Sequence, residues 1–256
     1  MTIGISLSGG GARGIAHVGV LQALNEAGIY PTHIAGVSAG AIVGALYAQG
    51  IAPLEIIDLI RQTKWNTLFR PAGWGKFGFL NFEKMGDILL QHLPHDSFEG
   101  LKLPITVSAT DVQKGVEVIF NKGILIKPLL ASSCVPFLFS PMRFDDYVLV
   151  DGGVLNGLLH EPVAHCDFTI GIHTNAFDPT RPVKGLRTLI KRCFNLVLHN
   201  SSRMNLAKFD FGLEPTELGH CSPTNMYKAA EVYAIGYKAM KAEIPHLLEK
   251  LKVYGF

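Results

Sequence analysis

The chain has 256 residues, of which 48% are hydrophobic and 17% charged. That balance excludes a disordered tail, because enough apolar side chains are present to offset chain entropy. With 23 Lys and Arg against 21 Asp and Glu, the formal net charge of +2 is too small for wholesale nucleic-acid binding.

In chain order, residues 3–8 read as a short apolar strand. Met1-Thr2-Ile3-Gly4-Ile5-Ser6-Leu7 has no basic n-region and runs straight into a glycine motif, so it reads as structure and not as a signal peptide. Ile15, Val18, Leu21 and Leu24 recur at i+3, which predicts a helix over 15–27 that stops at Gly28. Ile34-Ala35-Gly36-Val37 is a second buried strand, and a small-residue helix follows over 39–49. This β-α-β opening predicts a parallel first strand pair. Further helices are expected over 53–63, 83–93, 124–132, 183–208 and 225–252. Further strands are expected over 103–110, 115–120, 147–150 and 168–173. No repeat or linker interrupts the alternation, so it predicts one α/β domain over 1–256 with a mostly parallel sheet. No uninterrupted apolar run reaches the ~18–20 residues of a membrane span. Cys134, Cys166, Cys193 and Cys221 lie 27–32 residues apart without a C-x-x-C pair. Zinc and dithiol readings are therefore weak, and reduced, mostly buried thiols of a cytoplasmic protein are expected.

Gly9-Gly10-Gly11-Ala12-Arg13-Gly14 satisfies G-x-G-x-x-G between a strand and a helix. A dinucleotide fold needs an acid at the end of the second strand. That strand instead ends in a serine. A P-loop is excluded because no Gly-Lys-Ser/Thr follows. Consecutive glycines still aim several N–H groups into one space, which suits a phosphate or the oxyanion of an acyl-transfer intermediate. Gly36-Val37-Ser38-Ala39-Gly40 is G-x-S-x-G at a strand-to-helix turn, the setting of a nucleophile elbow. The blander reading of Ser38 is a helix cap.

A serine nucleophile needs a general base. None of the ten histidines sits in a motif, and His160, His165, His173 and His199 are the candidates for a Ser-Asp-His order. Asp151-Gly152-Gly153 ends a buried strand. Partial burial would raise that carboxyl's pKa and help it accept a proton. A turn aspartate bonding nearby backbone N–H groups is the competing reading.

Together these pieces resemble the patatin-like phospholipases, a family of lipid acyl hydrolases. The resemblance rests on the glycine loop, the serine pentapeptide, Asp151-Gly152-Gly153, and Ala131-Ser132-Ser133-Cys134-Val135-Pro136, which looks like the family's A-S-x-x-x-P segment. The motifs run from residue 9 to 153 in family order, and nothing beyond about 175 is recognisable. The departure is at the acid turn, where glycine stands where many relatives have alanine. The resemblance implies a three-layer α/β/α fold in a minimal catalytic domain. It also implies a Ser-Asp dyad, with Ser38 as nucleophile and Asp151 as base. The glycine loop, Gly9 to Gly14, would form the oxyanion hole, chiefly through backbone N–H groups around Gly10 and Gly11. Arg13 would support that loop or meet a phosphate headgroup. No metal or other cofactor is implied.

The expected substrate is a lipid or other acyl ester, phospholipid or lysophospholipid first. The residues leave open a soluble ester, a thioester, an acyl acceptor other than water, and a histidine base. Trp65, Phe69, Trp74, Phe77, Phe79 and Phe82 could flank an acyl cleft or touch a membrane, or fold onto the core. Arg181, Lys184, Arg187, Lys191, Arg192, Arg203 and Lys208 form an acid-free basic stretch that reads first as a solvated helix face, and could also face anionic headgroups in a transient, peripheral membrane contact. No nucleic-acid partner is expected.

Overall fold

β1 (Ile3–Leu7) is buried at every position, and β2 (His33–Val37) at all but its first. Strands apolar on both faces need cover on both sides, and the sequence supplies it with helices. The computed structural model describes residues 1–68, 70–71, 80–81, 83–180 and 182–256. After β1 come α1 (Ala16–Glu26), β2, α2 (Ala39–Ala48), α3 (Pro53–Gln62), α4 (Trp65–Leu68), β3 (Arg70–Pro71), β4 (Leu80–Asn81) and α5 (Glu83–His92). Then follow β5 (Ile105–Asp111), β6 (Val116–Phe120), α6 (Ile126–Ser132), β7 (Met142–Phe144), β8 (Tyr147–Asp151), β9 (Phe168–Ile172), α7 (Leu186–Leu206), β10 (Phe211–Leu213) and α8 (Ala229–Lys252).

The hydrogen-bonded order of the main sheet is β10-β9-β1-β2-β5-β8-β7, with β6 also on β5. The first four of those pairings are parallel; those of β5 with β6 and β8, and of β7 with β8, are antiparallel. This is the mostly parallel α/β sheet that the alternation of elements predicts. On one face, Ile3, Ile5 and Leu7 of β1 join a core built with α1, α2, α3, α5, α6 and α8. On the other, Ala35 and Val37 of β2 meet Leu158, Leu159, Val163 and Phe209, with Leu206 of α7 against them. The side chains of β2 alternate between these cores as the strand pleat requires.

The register of β5 positions the site. Its residues Ile105 to Ser108 pair with β2, ending at Val37↔Ser108. Its residues Ala109 to Asp111 pair with β8, beginning at Ala109↔Asp151. β6 pairs with Val107 to Asp111. A strand has two edges, so β2 and β8 must share the edge that β6 leaves. They run in opposite senses along it, and their carboxyl ends converge head to head at Ser108 and Ala109.

Several boundaries differ from those read in the sequence. The first helix is preceded by a 3-10 turn at Gly11–Ile15, which the glycine motif concealed. β7 and β10 are three residues each, too short to display an alternating pattern. α8 starts at Ala229, after a turn in which the Asn225 side chain accepts from Tyr227 N–H at 3.1 Å. Trp65 packs against the main core and its Nε1 donates to Ile60 O at 2.9 Å. Phe69, Trp74, Phe77, Phe79 and Phe82 lie outside the described residues. Among the described residues no helix is long and apolar enough to cross a membrane.

Candidate active site

Ser38 follows β2 with no intervening residue and opens α2 with φ 52° and ψ −124°. Such a conformation costs on the order of 1–3 kcal/mol for a residue other than glycine and persists only where its surroundings over-determine it. They do so here. Ser38 O accepts from Ala41 N–H at 3.0 Å and Ile42 N–H at 3.2 Å. Its N–H donates to Ser132 Oγ at 2.8 Å. A Cβ on Gly40 would overlap Leu7 O, and one on Gly36 would stand 2.6 Å from Ala41 Cα. A Cβ on Gly14 would overlap the Cβ of Ala39. The small residues around buried Val37 thus let α2 sit directly on the ends of β1 and β2. The Ser38 side chain makes no cap bond to α2, so the capping reading fails. It instead lies beside Asp151, close enough to favour that residue's charged form.

Asp151 is 3% exposed. Burial pushes its pKa up from 3.8 to about 6, against the opposing effects of the neighbouring Ser38 side chain and of the hydrogen bond from Gly153 N–H at 2.8 Å. The turn beyond it is boxed in. Gly152 O accepts from Thr110 Oγ1 at 3.4 Å, and Gly153 O from Ser201 Oγ on α7 at 3.0 Å. A Cβ on Gly152 would come within 2.6 Å of Ser108 O. Asp151 N–H donates to Cys134 O at 2.9 Å. The 131–136 segment therefore holds both residues: Ser132 takes the serine amide and Cys134 the aspartate amide. Burial, with the Asp151 charge adding to it, pushes the Cys134 thiol up to about 12, so it stays protonated beside the carboxylate.

The glycine loop lies against the same point. A Cβ on Gly9 would stand 3.3 Å from Ser38 Cβ. Gly9 N–H donates to Gly157 O at 3.3 Å, and Ala12 N–H to Pro223 O at 2.8 Å. Gly11 has φ 55°, and a Cβ there would overlap Pro223 O. Glycine is the residue that fits such a position. The N–H groups of Gly10 and Gly11 donate to no described atom. Thr174 clamps the loop from β9: its N–H donates to Ser8 Oγ at 2.9 Å and its Oγ1 to Gly9 O at 3.3 Å. His17, fully buried, contacts Ser8 O at 2.8 Å through Nε2, and burial lowers its pKa to about 4.

Arg13 is 4% exposed. Its guanidinium donates to Cys221 O at 2.9 Å, Asn175 Oδ1 at 3.2 Å, Ala176 O at 2.9 Å and Gly219 O at 3.1 Å. That is loop support, and it leaves no fork turned outward for a headgroup. Among the described residues no histidine hydrogen-bonds to Ser38. His160 packs on Phe209, His165 on His33, and His173 on His199. Arg192 of the basic stretch lies 3.9 Å over the Phe177 ring, and Lys208 pairs with Glu161 at 3.4 Å. Arg181 and the side chains of Arg187 and Lys191 lie outside the described residues. The sequence did not single out Ser132 as a partner of Ser38, nor Thr174 and His17 as clamps. Ser132 could have been found, since it stands inside a segment that the resemblance quoted. Thr174 and His17 carry no motif.

The family model of the patatin-like phospholipases matches residues 5–164, a span holding the glycine loop, Ser38 and Asp151. The chain belongs to the patatin-like phospholipase family. It is 35% identical over 177 residues to an uncharacterized NTE family protein of Mycobacterium tuberculosis (strain ATCC 25618 / H37Rv), covering 68% of this chain and 49% of that one. It is 26% identical over 189 residues to the lysophospholipase NTE1 of Candida glabrata, covering 71% of this chain and 11% of that one. The chain thus spans about half the length of the mycobacterial relative, and far less of the fungal one. Among solved structures, VipD from Legionella pneumophila superposes with a TM-score of 0.61 at 16% identity, over 96% of this chain and 66% of that one. At that identity the likeness is one of fold.

Proposed function

We propose that this patatin-like chain is a serine lipid acyl hydrolase that cleaves carboxylic esters of phospholipids or lysophospholipids through Ser38 and Asp151. The observation that carries the reading is the convergence of a conformationally strained serine with a buried aspartate whose pKa is raised to about 6. Above that pH Asp151 is a carboxylate with a proton affinity suited to general-base work. It takes the Ser38 Oγ proton as Oγ attacks the ester carbonyl. The negative charge that develops on the carbonyl oxygen accepts hydrogen bonds from Gly10 and Gly11 N–H. Collapse expels the alcohol, which receives the proton from Asp151 and leaves an acyl group on Ser38. Water then gives its proton to Asp151 and attacks the acyl carbon. The fatty acid departs and Ser38 Oγ recovers the proton.

Lipid as the substrate class follows from the family and from the lysophospholipase among the relatives. The outward surface suits it: Phe137 is 62% exposed and its ring packs on Phe194 of α7, where Leu186, Leu189, Ile190, Val197 and Met204 are also exposed. An apolar stripe on a basic segment favours contact with an anionic lipid surface. A fluorophosphonate probe tests the nucleophile. Intact mass should show one adduct per chain, located on Ser38 by peptide mapping and absent in Ser38→Ala. An adduct elsewhere, or none, would refute the assignment.

A further inference from the structure

Three side chains far apart in sequence meet beside the glycine loop. His173 follows β9, Glu214 follows β10, and His199 lies in the middle of α7. Nδ1 of His173 is 3.4 Å from Glu214 Oε1, and Nδ1 of His199 is 3.8 Å from the same oxygen. One ligand atom from each residue lies within 4.8 Å of the other two. His173 is fully buried: its Nε2 has no hydrogen-bond partner, and its Nδ1 has only the Glu214 carboxylate. A buried imidazole left in that state is costly, because burying an unsatisfied polar group forfeits its hydration.

We propose that His173, His199 and Glu214 form a binding site for a divalent transition-metal ion of the zinc type. Two imidazoles and one carboxylate are a ligand set that Zn2+ accepts. Ligands bonded at about 2.0–2.1 Å to a tetrahedral ion stand about 3.3 Å apart. The His173–Glu214 distance already has that value, and the His199–Glu214 distance needs to close by only about half an ångström. His199 Nδ1 now lies 3.1 Å from Asn175 O. On binding, the ion takes Nδ1 and the single ring proton moves to Nε2, so His199 binds as its other neutral tautomer. Arg203 acts on both Glu214 and His199 through its charge, which weakens the site without filling it.

The role that follows is structural. The ion would strap the ends of β9 and β10 to α7, the helix that lies on the turn after Asp151. Nothing in the sequence announces such a site, because its ligands share no short spacing. A second cluster, His33, His165 and Cys166, also brings its ligand atoms within 4.8 Å of one another, and serves as the internal control.

The test is zinc and cobalt titration of the full chain after chelator treatment. Wild type should take up one Zn2+ with a rise in Tm. Glu214→Gln and His199→Ala should lose roughly tenfold or more in affinity, while Cys166→Ser should not. Bound Co2+ should show ligand-field bands without a thiolate charge-transfer band. Zinc should also slow amide exchange in wild-type peptides spanning 168–175, 196–202 and 211–216, a readout that stands even if the variants fold poorly. The proposal is overturned if wild type takes up no zinc, if uptake survives Glu214→Gln, if it is lost with Cys166→Ser, or if those peptides show no change.

Discussion

Ser38 and Asp151 face each other end to end along one edge of β5, each at the carboxyl end of a strand running toward the other. Val37 pairs with Ser108 and Asp151 with Ala109, so one residue step of β5 separates the two strand ends. A step of about 3.3 Å leaves the two side chains no need of a long reach. The antiparallel sense of β8 is what makes this possible. A strand parallel to β2 would carry its carboxyl end past Ser38 and out of the sheet.

The raised pKa of Asp151 predicts an acid limb in the pH profile. Below about 6 the carboxyl is protonated and cannot accept the Ser38 proton. Turnover of a non-titrating ester should therefore fall about tenfold per pH unit below that value and level off above it. A profile flat from pH 4 to 8 would show that Asp151 is not the base.

The same shift acts on stability in the opposite sense. Between 3.8 and about 6 the folded carboxyl holds a proton that the unfolded one has released, so stability falls as pH rises through that window. At neutral pH the buried charge costs up to about 3 kcal/mol. Asp151→Asn should abolish turnover yet raise Tm at pH 7 by a few degrees, with the gain shrinking toward pH 4. Calorimetry at the two pH values checks it. A lower Tm at pH 7 would contradict the account.

Ser132→Ala removes the acceptor of the Ser38 amide. A buried N–H left without a partner costs about 1–3 kcal/mol. The residue whose conformation it loosens is the nucleophile, so kcat should fall at least tenfold with KM little changed. Equal loss through KM alone would place Ser132 outside the elbow's support.

Arg13→Lys keeps the charge but not the planar fork that reaches four acceptors on two segments. At such sites the two residues are not interchangeable. The variant should unfold at a lower denaturant midpoint, by about 2–3 kcal/mol, and lose activity with it. Activity lost at unchanged stability would instead point to direct contact with substrate.

The central fold was legible because its signals are local. The apolar runs of β1 and β2, the i+3 spacing from Ile15 to Leu24, and the glycines flanking Ser38 each report a backbone constraint within a few residues. What stayed hidden depends on register. Ser132 and Cys134 were visible as residues of a matched segment, but their hydrogen bonds to Ser38 and Asp151 arise only when α6 docks beside β5. The convergence of β2 and β8 likewise needs the pairing of β5, which no pattern within either strand encodes. His173, His199 and Glu214 meet only because β9, β10 and α7 pack together. Arg13 read equally well as loop support or as a headgroup ligand, and its burial among carbonyls separates the two.

The most direct measurement is free fatty acid release from mixed phospholipid and lysophospholipid vesicles by wild type, Ser38→Ala and Asp151→Asn at pH 7.5. The account predicts release by wild type alone, with both variants folded and at background. Sustained release by Ser38→Ala or by Asp151→Asn would contradict it.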